Sequence, residues 1–212
     1  MTIPKFSIIV TTYSRYKRLE LVLSSWFKAG ADEVILANGG KWFKTKLPIK
    51  QFFFRPDPGN KIRFAAATLA ANDMIVLADD DVLVKPGIFQ DFLKCYKKNN
   101  GIYGIIGRKS GGKTYWECPF IRADKIAYPI EVFFCGVIYF THRCRLPVDL
   151  SCIKNRAYDD LYWHMVAQKD TPKYVFPTKN YENMKPECND PNSIFKTPAS
   201  KEARNKFYQE HK

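Results

Sequence analysis

The feature that most constrains the fold of this chain is an apolar run that ends directly in three aspartates. Met74 to Ala78 are apolar, and Asp79, Asp80 and Asp81 follow without a spacer. The apolar run predicts a strand that is buried on both faces, which is typical of a parallel sheet covered by helices on each side. Because three adjacent carboxylates repel one another, a hard divalent cation or a cationic ligand would stabilise them.

The spacing of the aspartates indicates which of them bind metal. In an extended backbone, Asp79 and Asp81 project to the same side. Two carboxylates on one side can hold Mg²⁺ or Mn²⁺ together with the phosphates of a nucleotide. The alternative is an acidic loop that caps a helix beginning near Pro86.

Composition places the chain among globular proteins with an anionic partner. Its 212 residues, 46% of them hydrophobic, suit one domain with a sizeable core. The net charge of +13 predicts binding to nucleic acid, to a membrane surface or to a phosphate-bearing small molecule. The six cysteines include no Cys-x-x-Cys pair, so we expect free thiols in a reducing compartment rather than zinc ligands or disulfides.

No apolar run has the length of a membrane span or the pattern of a signal peptide. We therefore expect a soluble, cytoplasmic protein without a membrane span. The charged C-terminus leaves open that the sequence is one module of a longer, multidomain polypeptide.

Strands and helices alternate along the first half of the sequence. The predicted strands there are Phe6–Thr12, Glu33–Ala37, Gln51–Phe54 and Met74–Asp79, with helices at Arg15–Lys28 and Ile62–Ala71. In the second half we predict helices at Pro86–Lys98, Arg156–Gln168 and about 200–210, and strands at Tyr103–Gly107, Thr114–Ile121 and Val132–Phe140. The pattern predicts an α/β fold in which a mostly parallel central sheet is flanked by helices, with a mixed second half.

A polar segment follows each of the four predicted parallel strands. These segments are residues 11–15, 38–40, 57–63 and 79–81. Because ligands bind outside the carboxyl ends of the strands of an open parallel sheet, we expect the segments to converge on one crevice. Their hydroxyl groups, amide, cations (Lys61 and Arg63) and carboxylates suit a nucleoside diphosphate.

These motifs resemble those of the nucleotide-sugar-dependent glycosyltransferases of the GT-A fold, which is Rossmann-like. That family has an opening strand similar to Ser7–Arg15, an Asp-x-Asp motif after a later strand, and an acidic pair on a helix in the second half, here Asp159-Asp160. The resemblance covers about residues 6–184. It implies one domain over residues 1–212, with a nucleotide-binding half to about residue 100 and an acceptor-binding half from 101 to 212.

Within the fold, the sequence looks most like the exostosin-type transferases. It shares with them the segment Asn60, Lys61 and Arg63 ahead of the aspartate motif, and the strand Cys135-Gly136-Val137-Ile138. A narrower resemblance, to the N-terminal glycosyltransferase domain of a chlorella-virus protein, implies a viral protein in the host cytoplasm.

The resemblance also implies the ligands and their contacts. It implies a UDP-sugar donor of a hexose or deoxyhexose, an oligosaccharide or glycoprotein glycan as acceptor, Mn²⁺ or Mg²⁺ as cofactor, and transfer with retention. For the nucleotide-sugar, the implied contacts are Thr11, Thr12, Tyr13 and Asn38 to uridine, Asn60 and Arg63 to base or phosphate, and Asp79 to ribose, with Arg15 and Asp80 elsewhere in the same site. The implied metal ligands are Asp81 and Asp79. The implied acceptor contacts are Cys135, Gly136 and Val137, and the implied catalytic residues are Asp160 and Asp159.

Asp160 is the preferred catalytic group at this stage, as a base toward the acceptor or as support for an oxocarbenium-like sugar. The alternative for the pair is a helix-start carboxylate. The cation that exostosin-type enzymes place near the leaving phosphate has no clean match here; the candidates are Lys196, Lys201, Arg204 and His211. His164, Tyr115 and Trp116 are predicted to be packing residues.

Two other functions compete with glycosyl transfer. Sugar-1-phosphate nucleotidyltransferases share the fold, but they place a glycine-rich loop after the first strand, and residues 11–18 contain no glycine. A non-enzymatic nucleic-acid-binding domain would explain the positive charge. We expect no nucleic-acid partner, because three carboxylates in the crevice would repel phosphates and no recognised nucleic-acid motif is present.

Overall fold

The computed structural model describes residues 4–55, 59, 61–96, 101–147, 151, 159–184 and 197–212. Within these ranges the strands are β1 (Phe6–Thr12), β2 (Glu33–Asn38), β3 (Lys50–Phe53), β4 (Met74–Asp79), β5 (Val82–Val84), β6 (Ile102–Arg108), β7 (Phe120–Arg122), β8 (Ile130–Glu131), β9 (Phe134–His142), β10 (Lys173–Val175) and β11 (Tyr181–Asn183). The α-helices are α1 (Leu19–Ala29), α2 (Ile62–Ala67), α3 (Ile88–Tyr96), α4 (Asp159–Tyr162) and α5 (Pro198–His211).

A central sheet runs through the protein in the order β3-β2-β1-β4-β9-β6-β10-β8, with β7 paired to β6. The first four strands are parallel. Strand β9 is antiparallel to both of its neighbours, β4 and β6, so the second half is mixed. A separate pair, β5 with β11, continues the chain immediately after the aspartate motif. The predicted α/β fold with a parallel first half and a mixed second half is therefore confirmed.

Helices cover both faces of this sheet. Successive residues of a strand face opposite sides, and on β9 the ring of Phe140 stacks on Phe92 of α3 whereas Tyr139 packs against Trp163, which follows α4. Helix α1 lies on the face of α3, because Trp26 contacts Phe89. The strands between these layers are buried on both sides, as the continuous apolar runs predicted.

A second, smaller apolar cluster attaches α5 to the body of the protein. Its members are Tyr115, Cys118, Phe134, Leu161, Phe207 and Tyr208. Because α5 is otherwise polar, this cluster is its main hydrophobic anchor. No helix among the described residues is long and apolar enough to cross a membrane.

The predicted strand Thr114–Ile121 is wrong. Thr114 begins a single 3₁₀ turn, Tyr115–Glu117, and only residues 120–122 form a strand. The side chain of Thr114 accepts a hydrogen bond from the backbone of Glu117, whose carboxylate accepts one from the backbone of Thr114. The two hydrogen bonds of this capping box stabilise the turn by more than the preference of the aromatic residues for a strand opposes it.

Helix boundaries also differ from the predictions. Helix α2 ends at Ala67 rather than Ala71. The backbone amides of the next three residues, 68–70, donate to the carbonyl three residues earlier, which is the hydrogen-bond pattern of a 3₁₀ turn and not of an α-helix. The helix predicted at Arg15–Lys28 begins as a 3₁₀ turn and becomes α-helical at Leu19. After α4 the chain continues as one π-helical segment, Trp163–Ala167.

The predicted free thiols are found wherever the cysteines are described. Cys95, Cys118, Cys135 and Cys144 are free. Cys152 and Cys188 lie outside the described residues.

Candidate active site

The carboxyl ends of the four parallel strands bring the predicted segments together. Thr11 lies opposite Asp79 of β4, and Thr12 lies opposite Asn38 of β2. Asn38 in turn lies opposite Phe53, the last residue of β3. The strand ends therefore share one edge of the sheet, where an open parallel sheet binds its ligands.

Asp79 is held in place by Arg63. Nη2 of Arg63 lies 2.9 Å from Oδ1 of Asp79, whose side chain remains 30% exposed. Arg63 itself is buried on α2. Its burial favours a role in positioning Asp79, whereas the sequence predicted a base or phosphate contact. Its predicted companion Asn60 lies outside the described residues.

Arg15 bridges the other two aspartates of the motif. Its Nη1 lies 3.0 Å from Oδ1 of Asp80 and 2.8 Å from Oδ2 of Asp81. The hydroxyl of Thr12 donates to the second oxygen of Asp80, at 2.7 Å. Asp80 is buried, and both of its oxygens have partners within the protein, so it ties the end of β1 to the end of β4.

Asp81 carries unbalanced negative charge. Burial, followed by repulsion from Asp79, raises the pKa of Asp81 to about 7. A divalent cation would relieve this repulsion, and carboxylate oxygens are the ligands that Mg²⁺ and Mn²⁺ prefer. Among the described residues no group of three His, Cys, Asp or Glu side chains could hold a metal ion. A cation held by Asp79 and Asp81 would have to take its other ligands from water and substrate phosphates.

The loops after β1 and β2 are joined by Asn38. Its Oδ1 accepts hydrogen bonds from the hydroxyl of Tyr16 and the amide of Gly40, both at 3.0 Å, and its Nδ2 donates to the carbonyl of Lys41 at 2.7 Å. A Cβ at Gly40 would lie 1.8 Å from the carbonyl oxygen of Tyr13, so the approach of the two loops requires glycine. The ring of Tyr13 is 55% exposed while Asn38 is buried. Tyr13 therefore offers the free aromatic face at this edge.

Asp160 is fixed by a residue from the other end of the sequence. Nη1 and Nη2 of Arg204, on α5, lie 3.0 Å and 3.2 Å from Oδ1 and Oδ2 of Asp160. Nη2 of Arg204 also donates to the hydroxyl of Tyr115 at 3.0 Å, and the amide of Leu161 donates to Oδ1 of Asp160 at 2.8 Å. The guanidinium lies over the rings of Tyr115 and Phe134, 4.8 Å and 5.3 Å from their centroids. Both carboxylate oxygens of Asp160 are thus occupied.

The neighbouring carboxylate of Asp159 lies in a different environment. It is 2% exposed, and its Oδ2 has no hydrogen-bond partner among the described residues. Burial, and then the charge of Asp160, raises the pKa of Asp159 to about 7, although Arg63 opposes the shift. A buried carboxylate whose pKa is near neutrality is suited to exchanging a proton.

Arg63 links the two acidic groups of the site. It is paired with Asp79, and its charge also interacts with Asp159 and Asp160. Its guanidinium lies 5.8 Å from the centroid of the Tyr139 ring on β9. The aspartate motif of the first half and the acidic pair of the second half therefore belong to one site.

Three buried polar atoms around Asp79 lack a hydrogen-bond partner within the described residues. They are Oγ1 of Thr11, Nε of Arg63 and Oδ2 of Asp159. Native proteins leave few buried polar atoms unsatisfied, and the exceptions often mark ligand or water sites. Their grouping at the carboxyl edge of the sheet indicates a polar ligand there.

Strand β9 contains a strained residue where it borders the site. Val137 has φ +70°, a left-handed conformation that is unfavourable for a β-branched side chain. It lies in a β-bulge: Gly104 pairs with Tyr139 and Ile106 pairs with Gly136, so two residues of β9 oppose one of β6. Ile138 pairs with Ala78, which puts Val137 beside the strand end at Asp79. Of the predicted acceptor residues, Val137 therefore borders the aspartate motif, whereas the thiol of Cys135 is buried and donates to the carbonyl of Tyr174.

His164 is a packing residue, as the sequence predicted. It is fully buried against the rings of Phe134, Tyr139 and Trp163. Burial lowers the pKa of His164 to about 4. The neutral ring donates from Nδ1 to the carbonyl of Asp160, at 2.7 Å, because a carbonyl can only accept.

Sequence reasoning missed the roles of Arg204 and Tyr115. Arg204 was one of four candidate cations for the leaving phosphate, and Tyr115 was predicted to be core. The available signal was the i, i+3, i+4 spacing of Arg204, Phe207 and Tyr208 on a polar helix, which marks an inward face. Spacing alone does not reveal that Asp160 is the partner.

Comparisons with known proteins identify the fold. No protein-family model and no curated protein matches the sequence. The crystal structure of TarS from S. aureus, a glycosyltransferase, matches with a TM-score of 0.60 and 18% identity, over 84% of this chain and 36% of the TarS chain. A structure of S. aureus TarS 1–349 in complex with UDP-GlcNAc matches with a TM-score of 0.59 and 18% identity, over 84% and 57%.

A further TarS 1–349 structure, in complex with UDP, has a TM-score of 0.58 and 18% identity, over 84% of this chain and 59% of that one. The chain thus spans less than two thirds of the length of each of these structures. At this identity the likeness shows the fold: the chain has a GT-A-like glycosyltransferase fold, which confirms the predicted fold class.

Proposed function

We propose that this chain is a metal-dependent glycosyltransferase that moves a hexose or deoxyhexose from a UDP-sugar to a glycan acceptor. The observation that carries the proposal is the meeting of Asp79 with Asp159 and Asp160 around Arg63 at the carboxyl edge of the sheet. Binding of a sugar nucleotide needs polar groups at this edge, and transfer needs a carboxylate near the acceptor oxygen.

UDP is the proposed nucleotide because the matching S. aureus TarS structures were determined in complex with UDP-GlcNAc and UDP. In this chain the exposed ring of Tyr13 and the unpartnered hydroxyl of Thr11 are the side chains best placed to meet the nucleoside. Thr12 and Asn38 already hydrogen-bond within the protein, so they act through the loops that they hold. Asn60 keeps its predicted role as a base or phosphate contact.

Asp79 and Asp81 would hold Mn²⁺ or Mg²⁺. When bound, the cation supplies Lewis-acid stabilisation of the departing diphosphate. Arg63 orients Asp79 through an ion pair at 2.9 Å, and Arg15 lies between Asp80 and Asp81 and pairs with both. Because these two arginines pair with aspartates of the site, their positive charge has a role that does not require a nucleic-acid partner.

The acid–base chemistry belongs to Asp159 and Asp160. Both carboxylates interact electrostatically with Tyr139 of β9, the strand that also carries the proposed acceptor segment Cys135–Val137. The exostosin-type resemblance favours retention of configuration at the transferred sugar, and the narrower resemblance favours a viral protein of the host cytoplasm. The proposed acceptor is an oligosaccharide or the glycan of a glycoprotein.

Calorimetry with UDP in Mn²⁺ and in EDTA tests the proposal. We expect UDP to bind in Mn²⁺ and to bind much more weakly in EDTA. Asp81→Asn should reproduce the EDTA result in the presence of Mn²⁺, whereas Asp170→Asn, which removes an exposed carboxylate outside the site, should bind like the parent. Donor choice follows from measuring the hydrolysis of a panel of UDP-sugars.

Two outcomes would contradict the proposal. Equal UDP affinity in Mn²⁺ and EDTA would remove the metal from the site. A chain that binds a single-stranded oligonucleotide with strong salt dependence but shows no UDP binding would instead be a nucleic-acid-binding domain.

A further inference from the structure

Around Arg63 the carboxylates outnumber the guanidiniums. Among the described residues, the carboxylates are those of Asp79, Asp159 and Asp160, and the guanidiniums that meet them are those of Arg63 and Arg204. Arg63 is paired with Asp79, and Arg204 is paired with Asp160. Asp159 is the carboxylate without an ion pair of its own.

The pair formed by Arg204 and Asp160 is built to be rigid. Two parallel N–H···O bonds join the groups, at 3.0 Å and 3.2 Å, and the side chain of Arg204 is 1% exposed. The hydroxyl of Tyr115 and the flanking rings of Tyr115 and Phe134 restrain the guanidinium further. Because arginine stays protonated and binds carboxylates bidentately, it holds the carboxylate of Asp160 in one orientation.

Asp159 has the opposite properties. Its Oδ2 is buried and has no partner among the described residues, so this oxygen can take up a proton without giving up another hydrogen bond. Arg63 faces it from α2, Asp160 adjoins it, and Arg204 approaches from α5. Two adjacent carboxylates with such different surroundings can perform different tasks.

We propose that Asp160 is a fixed anion positioned by Arg204 and that Asp159 is the catalytic residue that takes the proton of the acceptor. This inference rests on the proposed glycosyl transfer. Because a base that activates the acceptor belongs to a single displacement, it entails inversion at the anomeric carbon in place of the retention that the exostosin-type resemblance favours. In the overall step the acceptor hydroxyl gives its proton to Oδ2 of Asp159, and its oxygen forms the new bond to the anomeric carbon. The bond from that carbon to the diphosphate oxygen breaks, and its electron pair leaves with UDP. The sequence favoured Asp160 for this role, and the bond to Arg204 is the reason for the change.

The test compares donor hydrolysis, pH profile, UDP affinity and melting temperature for the parent and for Asp159→Asn, Asp160→Asn and Arg204→Lys. Asp159→Asn should lower turnover by roughly 10²-fold or more, abolish the fall in rate that the parent shows below about pH 7, and leave UDP affinity within twofold. Its melting temperature at pH 8 should rise, because an unpaired buried charge is removed.

The other two variants should behave differently. Asp160→Asn leaves Arg204 buried without its anion, so its melting temperature should fall. Arg204→Lys retains the positive charge but lacks the planar guanidinium that makes two parallel hydrogen bonds to Asp160. It should lower turnover by roughly tenfold with little change in the KM of the donor. Its pH profile should match that of the parent. Lys206→Gln and Asp170→Asn change exposed charges, one of them on the same helix, and should match the parent.

Near-parental turnover in Asp159→Asn, or a lower melting temperature at pH 8, would overturn the inference. A pH profile that moves with Asp160→Asn and not with Asp159→Asn would assign the proton to Asp160 instead. Failure of the proposed function is distinct from both, because the parent protein would then neither bind UDP nor hydrolyse any UDP-sugar.

Discussion

Asp159 makes the stability of this protein depend on pH in an unusual direction for an aspartate. Its pKa in the folded state is raised to about 7 from an ordinary value of 3.8. Its favourable contribution is therefore complete below about pH 4 and is lost as the pH rises through 7. Near pH 8 the folded protein must keep this carboxylate charged and buried.

We therefore expect Asp159→Asn to stabilise the protein by about 1–3 kcal/mol at pH 8, the range for an unsatisfied buried polar group. The gain should shrink toward zero at pH 4. Chemical denaturation of parent and variant at several pH values measures it. His164 has the opposite dependence, since its pKa is lowered to about 4, but both proteins contain it and its contribution cancels in the difference. A gain that is constant with pH would show that Asp159 has the same pKa in the folded and the unfolded protein.

Val137 provides a second prediction at single-residue scale. In an ordinary strand, glycine is less stable than alanine by roughly 0.5–1 kcal/mol. At φ +70° an alanine carries a penalty of about 1–2 kcal/mol that glycine lacks. Val137→Gly should therefore be at least as stable as Val137→Ala, and the same pair of substitutions at Val175 of β10 should show the normal order. Urea denaturation compares the four variants, and the normal order at Val137 would show that the bulge relaxes.

Much of the site could be predicted from the sequence at the level of residues. Asp79, Asp80 and Asp81 end a strand as the apolar run required, and the segments after the parallel strands do converge. The partner of each charge could not be predicted. The ion pair between Asp160 and Arg204 joins residues 44 positions apart. The sequence offered Arg204 only as one of four candidate cations for the leaving phosphate, with Lys196, Lys201 and His211, and not as the partner of Asp160.

Among the elements, α5 has a function out of proportion to its few apolar residues. Phe207 and Tyr208 enter the smaller apolar cluster, and Arg204 lies one turn before them on the same face. The ring of Phe207 also stacks on His211, with centroids 4.1 Å apart. A substitution that weakens the packing of Phe207 should therefore also make the position of the Arg204 side chain less fixed.

Phe207→Ala should lower the free energy of unfolding by about 3–5 kcal/mol, the range for truncating a buried phenylalanine. It should also reduce donor hydrolysis more than UDP affinity, because the nucleotide loops lie at the far side of the site. Calorimetry and a hydrolysis assay measure the two effects, with Lys206→Ala as the exposed control on the same helix. Equal losses of affinity and turnover would mean that α5 supports the nucleotide loops as well.

Strand prediction succeeded where side-chain pattern and local chemistry agreed, and it failed where they did not. Strand β1, Phe6–Thr12, has the predicted bounds because its apolar run meets no capping residue. Thr114–Ile121 has strand-like composition, yet Thr114 and Glu117 form a capping box that starts a 3₁₀ turn. Helix and strand ends depend on such single hydrogen bonds, which composition does not encode.

At the scale of the whole molecule, one sheet runs through both halves. Strand β9 joins the parallel strands to the mixed ones, since it pairs with β4 on one side and β6 on the other. One apolar cluster spans both halves of the chain. The single domain over residues 1–212 stays a prediction, which the cooperativity of unfolding tests.

We expect the chain to unfold in one cooperative transition. Urea titrations followed by far-UV circular dichroism and by tryptophan fluorescence should coincide, because a continuous sheet and a shared core leave no unit to unfold separately. The apolar cluster contains Trp26 and Trp163, which report on the two faces of the sheet. Two separated transitions would divide the nucleotide-binding half from the acceptor half.

The position of Arg204 in the sequence has a consequence for the time at which activity arises. A ribosome adds about 5–20 residues per second, so Arg204 is made about 2–9 s after Asp160, its partner 44 residues earlier. During that interval the strands of the first half are already available to fold, whereas Asp160 still lacks its bidentate partner. A nascent chain can therefore form the carboxyl edge of the parallel strands before α5 completes the ion pair that positions Asp160.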